Sequence, residues 1–165
     1  MRLLTLVRHA KSSWDDPALS DFERPLNARG RRDAPRMAQH LLQAIGRPDR
    51  MVSSPALRAI TTARAFCEVL ALHQDEILIL PRIYEASVAT LLSLVRQLDD
   101  GDAHAMLFGH NPGFSDLATT LAPCSFDEMP TCAAVQIALP VSRWSEVARG
   151  LGEVRHYACP RQLAE

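Results

Sequence analysis

The sequence has no long hydrophobic run, and no segment approaches the ~20 apolar residues that a membrane-spanning helix needs. Met1 leads into a short strand-like segment rather than into the basic region and apolar core of an export signal. The four cysteines show neither CxxC nor another metal-ligand spacing, which favours buried thiols in a reducing compartment. We therefore expect a cytoplasmic protein with no membrane partner, no metal and no cofactor.

Lysine is nearly absent, because the 18 basic residues are 17 arginines and Lys11. The formal net charge of -1 provides no general attraction to nucleic acid, so no nucleic-acid partner is expected. Five arginines nevertheless lie close together in the chain: Arg24, Arg29, Arg31, Arg32 and Arg36. They are typical either of a solvated helix face or of a patch that attracts an anionic partner.

Low-complexity tracts and internal repeats are also absent. The length of 165 residues, with 47% hydrophobic and 22% charged residues, is that of one globular unit. We predict a single domain over residues 1–165 and a monomer.

Short apolar runs alternate with segments of helical periodicity. The predicted strands span residues 2–7, 50–53, 77–80, 104–108, 135–139 and, more weakly, 153–159. The predicted helices span residues 28–45, 55–72, 88–98 and 112–121, with Asn27 and Ser54 as caps and with a kink or a late start at Pro35. This alternation predicts an α/β fold, a mainly parallel sheet of five to six strands with helices on both faces.

Residues suited to one kind of chemistry follow the predicted strands. Arg8 and His9 end the first strand, Arg58 lies in the first turn after the second, Glu85 follows the third and His110 follows the fourth. In open α/β sheets, ligands bind beyond the carboxyl ends of the strands. The sequence therefore predicts two histidines, two arginines and a carboxylate at one edge of the sheet.

This set of side chains favours a phosphate ligand. Arginine forks match phosphate oxygens, and the helix N-termini after Pro55 and Pro112 supply free N–H groups. A histidine with a pKa near ~6.5 is mostly neutral at cytosolic pH, and nearby arginines would lower that pKa further. His9 is thereby suited to act as a nucleophile.

Five blocks of sequence, in this order, resemble the histidine phosphatase superfamily: LVRHAKSSW (6–14), RPLNARG (24–30), SSPALRAITTA (53–63), IYEAS (83–87) and GHNPG (109–113). The resemblance is to the short, SixA-type phosphohistidine phosphatase branch, and it extends from residue 1 to about residue 160. It implies a phosphoglycerate mutase-like fold without a large cap.

The resemblance also implies roles for individual residues. His9 would be the nucleophile that becomes a phosphohistidine, Arg8 and Arg58 would bind the phosphate, and His110 would be the second histidine of the pocket. The usual RHG of the superfamily stands here as Arg8-His9-Ala10, and alanine lacks the freedom of glycine to adopt a positive φ. This departure puts the detail of the loop in question more than catalysis.

Three further positions have less specific signals. Glu85 stands where many members of the superfamily keep a proton-donating acid, although a solvated glutamate at a helix start fits the sequence too. Ser12 and Asn111 are candidates for hydrogen bonds to the phosphate, but both also suit caps and turns. The remaining histidines are interpreted as structural or exposed: His40, His73, His104 and His156.

The predicted reaction has two steps, phosphoryl transfer to His9 and hydrolysis of the phosphohistidine. Because no segment is long enough for a lid, the pocket should be open, which favours a phosphorylated protein, such as a histidine phosphotransfer domain docked on the arginines of residues 24–36. The alternatives are a phosphatase of small phosphate esters, a mutase, and a phosphate-binding module without catalysis.

Overall fold

The central sheet of the structure, a computed structural model that describes residues 1–163, has six strands. The strands are β1 (Arg2–Arg8), β2 (Arg50–Ser53), β3 (Leu78–Ile79), β4 (His104–Gly109), β5 (Ala134–Leu139) and β6 (Glu153–Ala158). Their order across the sheet is β3-β2-β4-β1-β5-β6. The first four in this order are mutually parallel, while β5 is antiparallel to both β1 and β6. Only β5 is reversed, so the prediction of a mainly parallel sheet is confirmed.

Two pairs of helices cover the two faces of the sheet. The helices are α1 (Ala28–Ile45), α2 (Leu57–Leu70), α3 (Val88–Arg96) and α4 (Gly113–Leu121). On β4, Met106 and Phe108 pack with α1 and α2, whereas Ala105 and Leu107 pack with α3 and α4. Successive side chains of a strand point to opposite faces of the sheet, so this fully buried strand contributes to two apolar layers, one on each face.

The start of α1 follows the sequence prediction. The Asn27 side chain accepts a hydrogen bond from the Gly30 amide (2.8 Å), and the helix ends at Gly46, whose φ of 78° is in the left-handed region. Pro35 lies inside this helix, which begins at Ala28, so the late start is wrong.

The start of α2 differs from the sequence prediction. Ser54 was predicted to cap a helix beginning at Pro55, but the helix begins at Leu57, with Ala56 at the cap position. The Ser54 hydroxyl accepts a hydrogen bond from the Ala56 amide (3.2 Å) and lies 2.7 Å from Nε2 of His110. The hydroxyl therefore stabilises a tight turn and contacts His110, and it does not cap the first turn of the helix.

Strand β3 is shorter than predicted, at two residues, because Leu80 is already in the turn leading to Pro81. No helix within residues 1–163 is long and apolar enough to cross a bilayer. All four cysteines are free thiols, three of them buried and Cys124 half-buried.

Candidate active site

The register of the sheet brings several chain segments to one edge. Arg8 pairs with Gly109, and Ser53 pairs with Phe108, so β1, β2 and β4 all end at the same level. The antiparallel strand β5 starts at this level, since Ala134 pairs with Val7. The residues just before β5 therefore join the same edge, which the sequence did not indicate.

A cavity of about 220 Å³ lies at this edge. It is lined by Arg8, His9, Lys11, Ser12, Trp14, Arg24, Arg58, His110, Asn111 and Thr131. Six of the seven site residues suggested by the sequence are thus brought together, and Glu85 is not among the lining residues. Two other cavities, of about 400 and 520 Å³, are larger, but their linings within the described residues hold no histidine.

The His9 ring is buried and fixed in one tautomer. Nδ1 lies 2.7 Å from the Ala10 carbonyl oxygen, which can only accept, so Nδ1 carries the hydrogen and Nε2 keeps its lone pair. The pKa of His9 is lowered to about 3, with burial as the largest cause and with the nearby His110, Arg58 and Arg8 acting in the same direction, while the hydrogen bond to the Ala10 carbonyl opposes the change. A neutral imidazole with a free Nε2 is the form that can attack an electrophile.

The loop after His9 does not need a glycine. Ala10 is fully buried, is not among the residues with positive φ, and donates its amide to the Thr62 hydroxyl (3.0 Å). The doubt raised by the missing glycine of the RHG pattern is therefore removed in this structure.

Arg8 and Arg58 enter the cavity from different elements. Nη1 of Arg8 donates to the Met129 carbonyl (2.8 Å), while its buried Nε has no hydrogen-bond partner in residues 1–163. Burial lowers the pKa of Arg8, and Glu128 opposes that change. Arg58 donates through Nη1 to the Asp21 backbone carbonyl (2.6 Å) and through Nη2 to the Asp21 carboxylate (3.0 Å). Both guanidinium groups are held in place and keep N–H groups that an oxyanion can accept.

His110 packs beside His9, with their ring centroids 5.3 Å apart. Burial, followed by the charge of Arg58, lowers the pKa of His110 to about 4. If the Ser54 hydroxyl donates to Nε2 of His110, the ring hydrogen stands on Nδ1, which is buried and without a protein partner in the described chain. Ser54 is thus a site residue that the sequence had assigned to a helix cap.

Asp21 is the second residue that the sequence missed. Its carboxylate accepts hydrogen bonds from the Tyr84 hydroxyl (2.5 Å), from Arg58 (3.0 Å) and from Nη1 of Arg24 (3.1 Å). The Tyr84 hydrogen bond is the largest of the effects that bring the pKa of Asp21 to about 2, and Asp21 raises the pKa of Tyr84 to about 12. No spacing distinguishes Asp21 from the other acids of its loop, because two of its three partners, Arg58 and Tyr84, come from α2 and from the segment after β3.

The other candidates have different surroundings. Glu85 is exposed, with a φ of 57°, and helps to raise the pKa of Tyr84. The buried Ser12 hydroxyl accepts a hydrogen bond from Arg24. The Asn111 amide nitrogen has acceptors at Met129 (2.8 Å) and Glu128 (3.4 Å), and its oxygen accepts from the Ser115 hydroxyl (2.7 Å). Asn111 therefore ties the loop before β5 to α4.

The arginines of residues 24–36 do not share one environment. Arg24 lines the cavity, Arg29 and Arg36 pair with Asp33, and Arg31 donates to the Leu26 carbonyl (2.8 Å). The histidines outside the cavity fit the structural or exposed roles that the sequence suggested. His104 is buried against the Thr5 hydroxyl (2.7 Å), and His73 is exposed.

Two further histidines, His40 and His156, are half-buried and contact each other, with 2.9 Å between their Nε2 atoms. Within residues 1–163, no group of three or more metal-ligating side chains could hold a metal ion.

The chain is similar in sequence to a known protein family and to a curated relative. The family model described as Histidine phosphatase superfamily (branch 1) matches residues 4–101. An uncharacterised chloroplastic protein of Arabidopsis thaliana is 30% identical over 153 residues, which are 88% of this chain and 70% of that protein.

Two solved structures share the fold. The protein histidine phosphatase SixA complexed with tungstate superposes with a TM-score of 0.83 at 24% identity, over 98% of this chain and 99% of that one. A mycobacterial glucosyl-3-phosphoglycerate phosphatase complexed with VO3 gives a TM-score of 0.70 at 16% identity, over 94% and 98% of the two chains. The phosphoglycerate mutase-like fold expected from the sequence is confirmed.

Proposed function

This chain belongs to the histidine phosphatase superfamily, whose members are phosphatases, and we propose that it hydrolyses phosphohistidine on a protein through a covalent intermediate on Nε2 of His9. The observation that carries this proposal is the Nδ1–H hydrogen bond from His9 to the Ala10 carbonyl. It leaves Nε2 as the nucleophilic atom inside a cavity lined by arginines.

In the first step, the Nε2 lone pair forms a bond to phosphorus. The P–N bond of the substrate breaks, and its electron pair returns to the leaving imidazole nitrogen, which takes up a proton. The phosphorylated His9 ring carries a positive charge, and the hydrogen bond from Nδ1 to the Ala10 carbonyl stabilises that charge. Glu85 stays the predicted proton donor, although its exposed position suits a leaving group that needs little assistance.

In the second step, a water oxygen attacks phosphorus and the P–Nε2 bond breaks. The electron pair returns to His9, one water proton passes to the phosphate or to solvent, and inorganic phosphate leaves. Arg8, Arg58 and His110 are suited to meet the charge on the equatorial oxygens, and a donor of this kind contributes roughly 3 to 4 kcal/mol to transition-state stabilisation.

A protein substrate is supported by the open mouth of the cavity. Trp14 lines the cavity and is 73% exposed, so a phosphorylated side chain can approach from solvent. The similarity to the SixA protein histidine phosphatase, which holds the tetrahedral oxyanion tungstate, favours the same substrate class. The similarity to the glucosyl-3-phosphoglycerate phosphatase favours a second candidate, a phosphatase of small phosphate esters.

Phosphate release from a phosphorylated histidine phosphotransfer domain, compared with release from small esters such as p-nitrophenyl phosphate, tests the proposal. We expect a higher kcat/KM for the protein substrate and a burst of acid-labile phosphate on the enzyme. His9→Ala should remove both the burst and the turnover, by at least about 1000-fold. The matched control is His73→Ala, because His73 is exposed and does not line the cavity.

Three outcomes would contradict parts of this assignment. A burst that persists in His9→Ala would move the nucleophile to another residue. A clear preference for the small esters would leave the enzyme a phosphatase but exclude the protein substrate. Tight phosphate binding without any release would make the chain a binding module.

A further inference from the structure

Trp14 has an unusual position for a tryptophan. It is 73% exposed, while the other tryptophan of the chain, Trp144, is fully buried in the core. Tryptophan side chains are highly buried on average, and Trp14 is exposed within the lining of a cavity, where a ligand can contact it. Trp14 lines the same cavity as His9.

The indole of Trp14 is held from one side by Arg24. The guanidinium carbon of Arg24 lies 3.2 Å from the centroid of the Trp14 ring. Arg24 is itself buried and fixed, since it donates to the Ser13 carbonyl (3.0 Å), to Asp21 (3.1 Å) and to the Ser12 hydroxyl. Cation–π stacking on a fixed guanidinium orients the indole before any ligand arrives, which reduces the entropy lost on binding.

The geometry of phosphoryl transfer directs the leaving group toward the mouth. The leaving atom departs in line with the attacking atom, on the far side of phosphorus from Nε2 of His9. Because His9 is buried, the far side is the open side of the cavity. The group that carries the phosphoryl therefore comes to the part of the cavity where Trp14 is exposed.

A second exposed aromatic ring, Phe22, is connected to the site through the half-buried Tyr84. Phe22 is 41% exposed and contacts Tyr84 edge-on, with 5.2 Å between the ring centroids. Tyr84 in turn contacts the His110 ring edge-on at 5.5 Å.

We propose that Trp14 forms a binding subsite for a planar ring, so that this site prefers phosphoryl groups carried on imidazole or phenol rings to those on aliphatic side chains. The preference for phosphorylated rings in turnover rests on the proposed function of His9. Stacking between aromatic rings increases affinity by about 3- to 10-fold. An aliphatic phosphoserine side chain offers no face for such stacking.

The kinetic test pairs substrates that share a bond type. Phosphohistidine peptide is compared with phosphoramidate, and phosphotyrosine peptide with phosphoserine peptide, as ratios of kcat/KM. Trp14→Ala should lower the ratio of ring to ringless substrate by about 3- to 10-fold in each pair, and Trp14→Phe should restore most of it. The control is Leu151→Ala, because Leu151 is also an exposed large apolar side chain (42%) and does not line the cavity.

A binding test separates this subsite from catalysis. Phenylphosphonate and methylphosphonate carry a stable C–P bond, so their dissociation constants are measured without turnover. We expect phenylphosphonate to bind about 3- to 10-fold more tightly, and Trp14→Ala to abolish that difference. If the preference is present but no phosphoryl donor is hydrolysed, the ring subsite stands and the proposed function fails.

If Trp14→Ala lowers kcat/KM and affinity equally for ring and ringless compounds while the melting temperature stays unchanged, the proposal of a ring subsite is overturned. Trp14 would then act only by holding Arg24. Unchanged ratios in both tests would also overturn it, even where the enzyme turns over phosphohistidine.

Discussion

The floor and the mouth of the cavity are built in different ways. The floor, defined as Arg8, His9, Arg58 and His110, rests on strand ends and on the start of α2, and three of these four side chains are buried. The mouth, defined as residues 11–24, has one short helical turn, and Asp21 connects it to the rest of the site. The floor is suited to fixing the phosphoryl group, and the mouth is suited to selecting what carries it.

The first test of this difference removes a hydrogen-bond donor from the floor. Arg58→Ala should lower kcat/KM by roughly 100- to 1000-fold, because an oxyanion donor in a desolvated site is lost. Steady-state phosphate release measures the effect. Arg64→Ala is the matched control, since Arg64 is an exposed arginine on the same helix. A loss of kcat/KM below about 10-fold would mean that Arg58 mainly holds Asp21 in the mouth and does not bind the phosphoryl group.

The second test uses the protonation of the floor. The folded pKa values of His9 (about 3) and His110 (about 4) lie below the value of ~6.5 for the unfolded chain. Between these values the unfolded chain binds more protons than the folded one, so the free energy of unfolding falls as pH decreases. Each histidine contributes up to about 1.4 kcal/mol per pH unit below pH ~6.5.

Urea unfolding at several pH values between 7 and 4 measures this dependence. His110→Gln should reduce the slope, whereas His73→Gln, at an exposed position, should leave it unchanged. A free energy of unfolding that stays constant from pH 6.5 to pH 5 would show that the two rings are not held neutral by burial.

The third test weakens the ion pairs of the mouth and leaves the residues of the floor unchanged. Asp21→Asn removes the charge that orients Arg24 and Arg58, and we expect kcat/KM to fall by roughly 10-fold, as for the loss of about 1.4 kcal/mol of positioning. The same variant should bring the Tyr84 pKa down from about 12, because the carboxylate that raises it is gone. Ultraviolet difference titration measures that pKa directly.

Asp15→Asn is the control for this variant, since Asp15 is an exposed acid of the same segment. A fall in activity with an unchanged Tyr84 pKa would mean that Asp21 contacts the substrate rather than orienting its neighbours.

Much of the floor could be predicted from the sequence. Short apolar runs in a sequence predict buried strands. A residue that follows such a strand in a parallel sheet lies at the ligand-binding edge. This rule alone identifies Arg8, His9 and His110. The start of α2 was wrong because the Ser54-Pro55 pattern is typical of a helix cap, whereas the Ser54 hydroxyl contacts His110 in the folded chain.

The mouth could not be predicted in the same way. Asp21 is one of several acids in a polar loop, and the contacts that single it out join residues far apart in the chain: Arg58 and Tyr84. The entry of β5 at the same edge, which supplies the Met129 carbonyl to Arg8, also depends on strand pairing rather than on local pattern.

The alternation of strands and helices and the residues at the strand ends follow from the sequence alone, because periodicity and apolar runs are local properties. Four features of the site follow from the folded chain and not from the sequence: the tautomer of His9, the partner of His110, the contacts of Asp21 and the exposure of Trp14. Each of these depends on the distance between groups that the folding of separate segments brings together, and no local propensity encodes that distance.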